Sequence, residues 1–226
     1  MSPAAEAPGP PRRLLVVADD LGYDPAIDQG IFEAHRRGLV TAASAMVDTP
    51  FAPAALGAAP PSLALGLHLV LPPGTGTARA EEELGRQAQR FQTLSGRPPC
   101  HLDSHRHVHA EPEVLSALLG WAGARGVRVR ALHPAMRDRI RAAGAKAADH
   151  FLGDAALRPC WTTARLLAAL AELPPGTSEL MCHPGYAPTH ARTSFGRERE
   201  EELEALTDPR ALMLLAARGV LRTGRL

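Results

Sequence analysis

The sequence predicts an α/β fold: a TIM-like (β/α) barrel, irregular in its closure, with its active site at the C-terminal ends of the strands. Three observations predict it. Short apolar runs alternate with amphipathic stretches, the strand-helix-strand-helix order that a mostly parallel sheet requires. Four of those runs end in polar chemistry: Asp19 with Asp20, His68, Asp103 with His105, and His183. No glycine-rich nucleotide fingerprint follows Val17 and no Walker-type loop occurs, which weighs against the competing doubly wound open sheet. In a barrel, strand ends converge on one face, so residues distant in sequence meet there.

The 226 residues suit one domain. Residues 1–11, rich in small residues and proline, form a flexible leader, and residues 12–226 form a single barrel domain. The formal charge of +1 excludes a nucleic-acid partner recruited by bulk electrostatics. No window approaches the roughly 20 apolar residues of a transmembrane span, and the first residues lack the pattern of a secretory signal. Cys100, Cys160 and Cys182 have no CxxC spacing and no pairing logic, which fits a reducing cytoplasm. The apolar helix faces already have a core to cover, so they do not argue for an oligomer.

Taken in order, Leu14–Ala18 is a nearly continuous apolar run, as in a strand covered on both faces. It ends in Asp19-Asp20, two carboxylates that are costly to bury unless they meet a proton, a metal or a cation; the plainer alternative is a turn or cap, which Gly22 and Pro25 would suit. Asp24–Arg37 reads as a helix capped by Asp24 or Asp28 and ended by Gly38. Leu39–Val47 is the second strand and Phe51–Leu56 a short helix. Leu63–Val70 is the third strand, with His68 near its end, where a core histidine and a ligand compete as readings. Glu81–Leu94 is an amphipathic helix, and strand character returns at Cys100–Asp103.

Glu113–Arg125 is a helix ended by Gly126, and Val127–Leu132 alternates as a strand. Ala135–Ala148 is helical but broken at Gly144. Its Arg137, Arg139, Arg141 and Lys146 suit either a solvated face or an anionic substrate. Thr162–Leu173 is a helix capped by Thr162 or Thr163, and Ser178–Gly185 holds a strand ending at His183. Two further helices, Gly196–Leu206 and Pro209–Arg218, precede a terminal strand or tail from Val220.

The segment His101-Leu-Asp-Ser-His-Arg-His-Val-His109 holds four of the ten histidines. As a strand it would place Asp103, His105, His107 and His109 on one face. Its position between hydrophobic segments argues against an affinity tag. Asp20, His68 and His105 make a plausible two-histidine, one-carboxylate divalent site that leaves positions open for water and substrate. Asp19 is then the leading candidate for general base, and His183 for the acid that protonates a leaving amine. A backbone N–H near Leu69 or Val70 could help stabilise an oxyanion. Asp103, His107 and His109 are expected in the second shell or the substrate wall, with Asp103 orienting His183 or a ligand imidazole, or else capping the next segment. His35, His133, His150 and His190 read as ordinary residues, His190 carrying slight weight for its closeness to His183.

Ala18-Asp-Asp-Leu-Gly22, Gly38-Leu-Val-Thr41, Gly66-Leu-His-Leu69, Leu102-Asp-Ser-His-Arg-His-Val-His109 and Cys182-His-Pro-Gly185 together resemble the YdjC-like carbohydrate deacetylases. The order and spacing match from Leu14 to Gly185, and the DSHxHxH stretch is the most specific part. The pattern also looks like the branch associated with hopanoid biosynthesis. The resemblance implies a TIM-like barrel and divalent-metal-dependent removal of an acetyl group from an N-acetylated sugar or glycosylated lipid. It implies Asp20, His68 and His105 as metal ligands, Asp19 as base and His183 in an acid or transition-state role. Magnesium is the ion commonly described for the family; the two imidazoles suit zinc equally.

Two departures stand out. Leu21 replaces a frequent phenylalanine, and the segment between Leu69 and Asp103, where the family often has a longer loop or lid, is short. Two other functions compete: glycoside hydrolysis by Asp19 and another carboxylate, and non-catalytic metal or sugar binding.

Overall fold

The computed structural model describes residues 10–153 and 160–226. The expected leader lies outside them except for Pro10 and Pro11. The strands are β1 (Arg12–Leu21), β2 (Ala42–Ala45), β3 (Ala64–Leu69), β4 (His101–Ser104), β5 (Arg128–Val129), β6 (His150–Leu152), β7 (Gly176–Cys182) and β8 (Leu221–Arg222). Their order in one sheet is β5-β4-β3-β2-β1-β7-β6, with β8 beside the start of β1. All of these pairings are parallel. The helices are α1 (Pro25–Arg37), α2 (Ala52–Ala58), α3 (Thr77–Ser95), α4 (Pro112–Gly123), α5 (Pro134–Ala142), α6 (Thr163–Ala171), α7 (Glu198–Thr207) and α8 (Pro209–Ala217).

The sheet curls into an irregular TIM-like barrel that strand pairing leaves open between β5 and β6. One parallel bridge, Arg128 to Lys146, spans part of that gap. There the Val129 N–H donates to Lys146 O and the Lys146 N–H to Val127 O. The expected helix ends are confirmed at Asp24 and Thr162, whose side chains accept from Ala26 N and Arg165 N. Gly38 ends α1, its N–H donating to Ala34 O, and only glycine fits there, since a Cβ would lie 2.2 Å from Leu206 O. The strand β6 has no counterpart in the expectations, because three half-buried residues are too few to show a period.

Period-two alternation sorts the strand residues into an outer and an inner set. Leu14, Val16, Leu65, Leu67, Leu102, Val129 and Leu180 belong to the large core that includes the helices. Leu15, Val17, Ala42 and Ala64 form a separate small cluster. It plugs one end of the interior. Beyond it, the inward positions turn polar: Asp19, Ser44, His68, His101, Asp103, Arg130 and Glu179, all buried. The interior is therefore layered, carbon at one end and charge at the other.

The expected strand over the histidine stretch is corrected here. β4 ends at Ser104, and His105–Ala110 forms a 3₁₀ turn in which Arg106 and His107 have φ of 56° and 55°. The inward pair on β4 is therefore His101 and Asp103, and the later histidines do not share a strand face. His101 fits because its neighbour on β3 is glycine: a Cβ on Gly66 would lie 2.3 Å from the His101 ring. Gly66→Ala is expected to cost about 1–3 kcal/mol by overpacking. Gly57→Ala, on a helix with nothing within 4 Å, should be neutral or stabilising. Urea denaturation of the two variants checks this pair.

Candidate active site

The Asp-Asp pair sits in a bulge. Ala18 pairs with Ala43 but Leu21 with Ala45, so β1 carries one more residue than β2 across this step. Asp20 takes up the difference with a φ of 72°, a backbone conformation that non-glycine residues adopt at a cost. A regular strand would send two adjacent side chains to opposite faces. The bulge re-aims one of them, so both carboxylates line the same cavity. That cavity, of about 370 Å³, is also lined by His68, His105, His107 and His183.

Asp20, His68 and His105 each present a ligand atom within 4.8 Å of the others. Asp20 Oδ1 lies 3.4 Å from His68 Nε2 and 3.4 Å from His105 Nδ1. This oxygen is buried and has no hydrogen-bond partner. Its other oxygen accepts from Arg199 Nη2 at 2.6 Å. Burial pushes the Asp20 carboxyl up, but His105, Arg199, His68 and His183 outweigh it and hold it well below the carboxylate range. An ionised oxygen facing two imidazoles, with no proton donor of its own, fits a divalent cation. His68 Nδ1 lies 2.7 Å from Asp103 Oδ1, which leaves Nε2 to face Asp20. Of the rings expected beside Asp103, the one it contacts is His68.

A second triplet, Asp19, His68 and Asp103, is equally compact. Its oxygens, however, are already engaged by Arg130. Both Asp19 oxygens accept from Arg130 at 2.7 Å. Asp103 Oδ2 lies 2.9 Å from the same guanidinium, and Glu179 Oε1 accepts from its Nε at 2.7 Å. Each of its carboxylate oxygens already has a hydrogen-bonding or ionic partner, whereas in the first triplet Arg199 takes one Asp20 oxygen and leaves Oδ1 free. The first triplet is the better metal centre. The sequence reading missed Arg130, Glu179, Arg199 and Ser44, which donates to Asp103 at 2.5 Å.

His183 lies across the cavity with Nε2 4.0 Å from Asp19 Oδ2. Burial lowers its pKa, partly offset by Asp19 and Asp20. Its backbone N–H donates to Glu202 Oε2 at 2.5 Å, and Glu202 also accepts from Trp161 N. Burial raises that carboxyl to about 7. His107 belongs to the cavity wall. His109 does not line the cavity: it is fully buried, with Nδ1 2.7 Å from Ser104 Oγ. His190 packs on Phe51 instead, with ring centroids 5.1 Å apart.

The Val70 N–H expected near an oxyanion donates to Gln87 Oε1 at 3.1 Å. Arg137 and Arg141 engage Asp149, and Lys146 the Leu226 carbonyl, so these three bases serve α5 and its surroundings. All three cysteines are free. Among the described residues no helix is long and apolar enough to cross a membrane.

The comparisons with known proteins agree with this geometry. The YdjC-like protein family matches residues 13–80 and 73–217, two stretches that overlap at 73–80. The chain belongs to this family. It is 33% identical over 240 positions to a carbohydrate deacetylase of Geobacillus stearothermophilus, covering 93% of this chain and 95% of that one. It is 32% identical over 242 positions to a chitooligosaccharide deacetylase of Serratia marcescens, covering 92% and 96%. A solved structure of a candidate cellobiose-phosphate cleavage protein from Enterococcus faecalis superposes with a TM-score of 0.83 at 27% identity, covering 94% and 97%. Family membership and the Asp20, His68, His105 cluster are together consistent with a metal-dependent deacetylase mechanism.

Three buried histidines work against the fold in acid. Burial holds His109 at about 3, His107 at about 4 and His101 well below 6.5. These groups bind protons more readily unfolded, so their stability contribution is present above 6.5 and lost as pH falls below it. His107 and His109 each cost about 1.4 kcal/mol by one pH unit below 6.5. His68 runs the other way: despite burial, Asp19, Asp103 and Asp20 raise it to about 8, so its contribution is full below 6.5 and fades through 8. Burial raises the Glu202 and Asp28 carboxyls to about 7, so they too favour the fold in acid, and the histidine contribution is read by difference: in the metal-free protein His109→Asn should raise the urea midpoint at pH 5.5 relative to that at pH 7.5. Separately, Arg130→Met strands three buried carboxylates and should cost about 3–5 kcal/mol at pH 7.5, read from the same denaturation curves.

Proposed function

We propose that the protein is a divalent-metal-dependent hydrolase that removes the acetyl group from an N-acetylated sugar or a sugar-bearing lipid. The carrying observation is the buried, unpartnered Asp20 Oδ1 between His68 and His105, with Asp19 and His183 lining the same cavity. A divalent ion held by Asp20, His68 and His105 would supply Lewis acidity to the amide carbonyl and to the attacking water. Magnesium or zinc suits this donor set.

Asp19 accepts the proton of the attacking water. Its grip by Arg130 through both oxygens fixes its orientation before substrate arrives. His183 gives a proton to the leaving nitrogen. Its lowered pKa favours the neutral form in the free protein, so the proton it donates comes from the water by way of Asp19, 4.0 Å away. Glu202 holds the His183 backbone in place. Among the described residues lining the cavity, Asp19 and Asp20 are the carboxylates. With Asp20 given to the ion, glycoside hydrolysis lacks its second carboxylate. A place in hopanoid biosynthesis and a cytoplasmic location belong to this proposal and rest on the motifs and the unpaired cysteines.

Acetate release from a panel of N-acetylated sugars by metal-reconstituted protein tests the reading. Asp20→Asn should lose both metal binding and turnover. Asp19→Asn and His183→Ala should keep the metal and lose about 10²–10⁴-fold in kcat. Unchanged activity in either would remove the assigned role. Tight metal binding without turnover on any acylated sugar would favour the non-catalytic reading.

A further inference from the structure

A second cavity, of about 480 Å³, adjoins the first and shares Tyr23 and His105 with it. Its apolar lining includes Met46, Val70, Leu71 and Pro72. Val70 is 39% exposed, one of few large apolar side chains left to solvent among the described residues.

A hydroxyl-rich ligand needs donors and acceptors that the protein has not already used. The polar side chains here are engaged. Arg86 joins Asp48 and Glu83, and Arg79 joins Glu82 and Glu83. Gln87 is spent on both backbone groups of Val70. Thr49 bonds the Gly22 carbonyl and the Ala52 N–H, and Thr75 the Pro72 carbonyl. The two arginines in the wall are matched by Asp48 and Glu83, so a charged group is not drawn in either. What an occupant gains here is burial of carbon.

The two stretches of the family match overlap at residues 73–80, which include Thr75 and Arg79 of this cavity's wall. The alignment to the Geobacillus stearothermophilus relative, 240 positions, is longer than this chain's 226 residues, so that relative carries inserted chain.

We infer that this second cavity is the subsite for the group that the acetylated sugar carries, and that it takes an uncharged, apolar group such as an alkyl chain. The inference rests on the deacetylase reading above. It predicts that hexyl N-acetyl-β-glucosaminide, below its micelle concentration, is deacetylated with kcat/KM at least tenfold above the methyl glycoside. Di-N-acetylchitobiose should stay within threefold of the methyl glycoside. Val70→Asp, and independently Pro72→Glu on the exposed rim, should cut the hexyl advantage below threefold.

Acetate released equally from hexyl and methyl glycosides overturns the subsite and leaves the deacetylase reading intact. Faster turnover of the chitobiose than of the hexyl glycoside overturns its apolar character. If no glycoside releases acetate, titration calorimetry with hexyl β-glucoside, which has no acetyl group, separates the two claims. Binding at least tenfold tighter than to either variant supports the subsite while the deacetylase reading falls; equal binding overturns the subsite as well.

Discussion

One guanidinium holds the interior together. Arg130, fully buried, meets Asp19 on β1, Asp103 on β4 and Glu179 on β7. Burial disfavours its charge, but Asp103, Asp19 and Glu179 outweigh that and hold its pKa well above the ordinary value. Three carboxylates packed this closely without a cation would repel and take up protons. The planar fork between them gives each a hydrogen-bonding partner and fixes its orientation. Arg130 follows β5, at one end of the strand order, while Glu179 lies on β7, next to the other end. The same contacts that organise the site therefore draw the curled sheet in on itself where backbone pairing does not close it.

The site is built outward from that centre. Asp103 takes one hydrogen bond from Ser44 and turns its other oxygen to His68, so the ring's remaining nitrogen faces Asp20. Asp20 is reached only because β1 bulges, and its left-handed backbone is paid for by the surrounding structure. Asp24, just past the bulge, caps α1 and also accepts the backbone N–H groups of Thr189, His190 and Ala191. The loop after His183 is thus tied to the turn after Asp20. One short segment, residues 19–24, sets a candidate base, a candidate ligand and the position of the opposite wall.

The four histidines of residues 101–109 divide between different tasks. His101 fills the space above Gly66 and lies 2.9 Å from Ser44. His105 turns to the cation position, His107 lines the cavity and His109 is locked behind it by Ser104. Density of imidazole drew attention to the stretch, but burial rather than ligation explains most of it.

The sequence by itself determined the parallel α/β class and the set of polar strand ends. Asp19, Asp20 and His183 were legible because they close apolar runs, His68 because it sits near the end of one, and His105 because of the density of imidazole around it. Arg130 was not legible. In Val127-Arg-Val-Arg130 the alternation is the same whether the arginine face meets water or a charged interior, since period two reports which residues share a face and not what that face touches. The bulge was hidden for a related reason: register belongs to a pair of strands, and one strand's residues do not carry it. The end of β4 at Ser104 depends on the 3₁₀ turn that follows, where two residues with positive φ break an alternation the sequence alone would continue. Which residues can form a cation site was written along the chain; which of two overlapping triplets is free to hold it was decided by which carboxylate oxygen the buried guanidinium groups left without a partner.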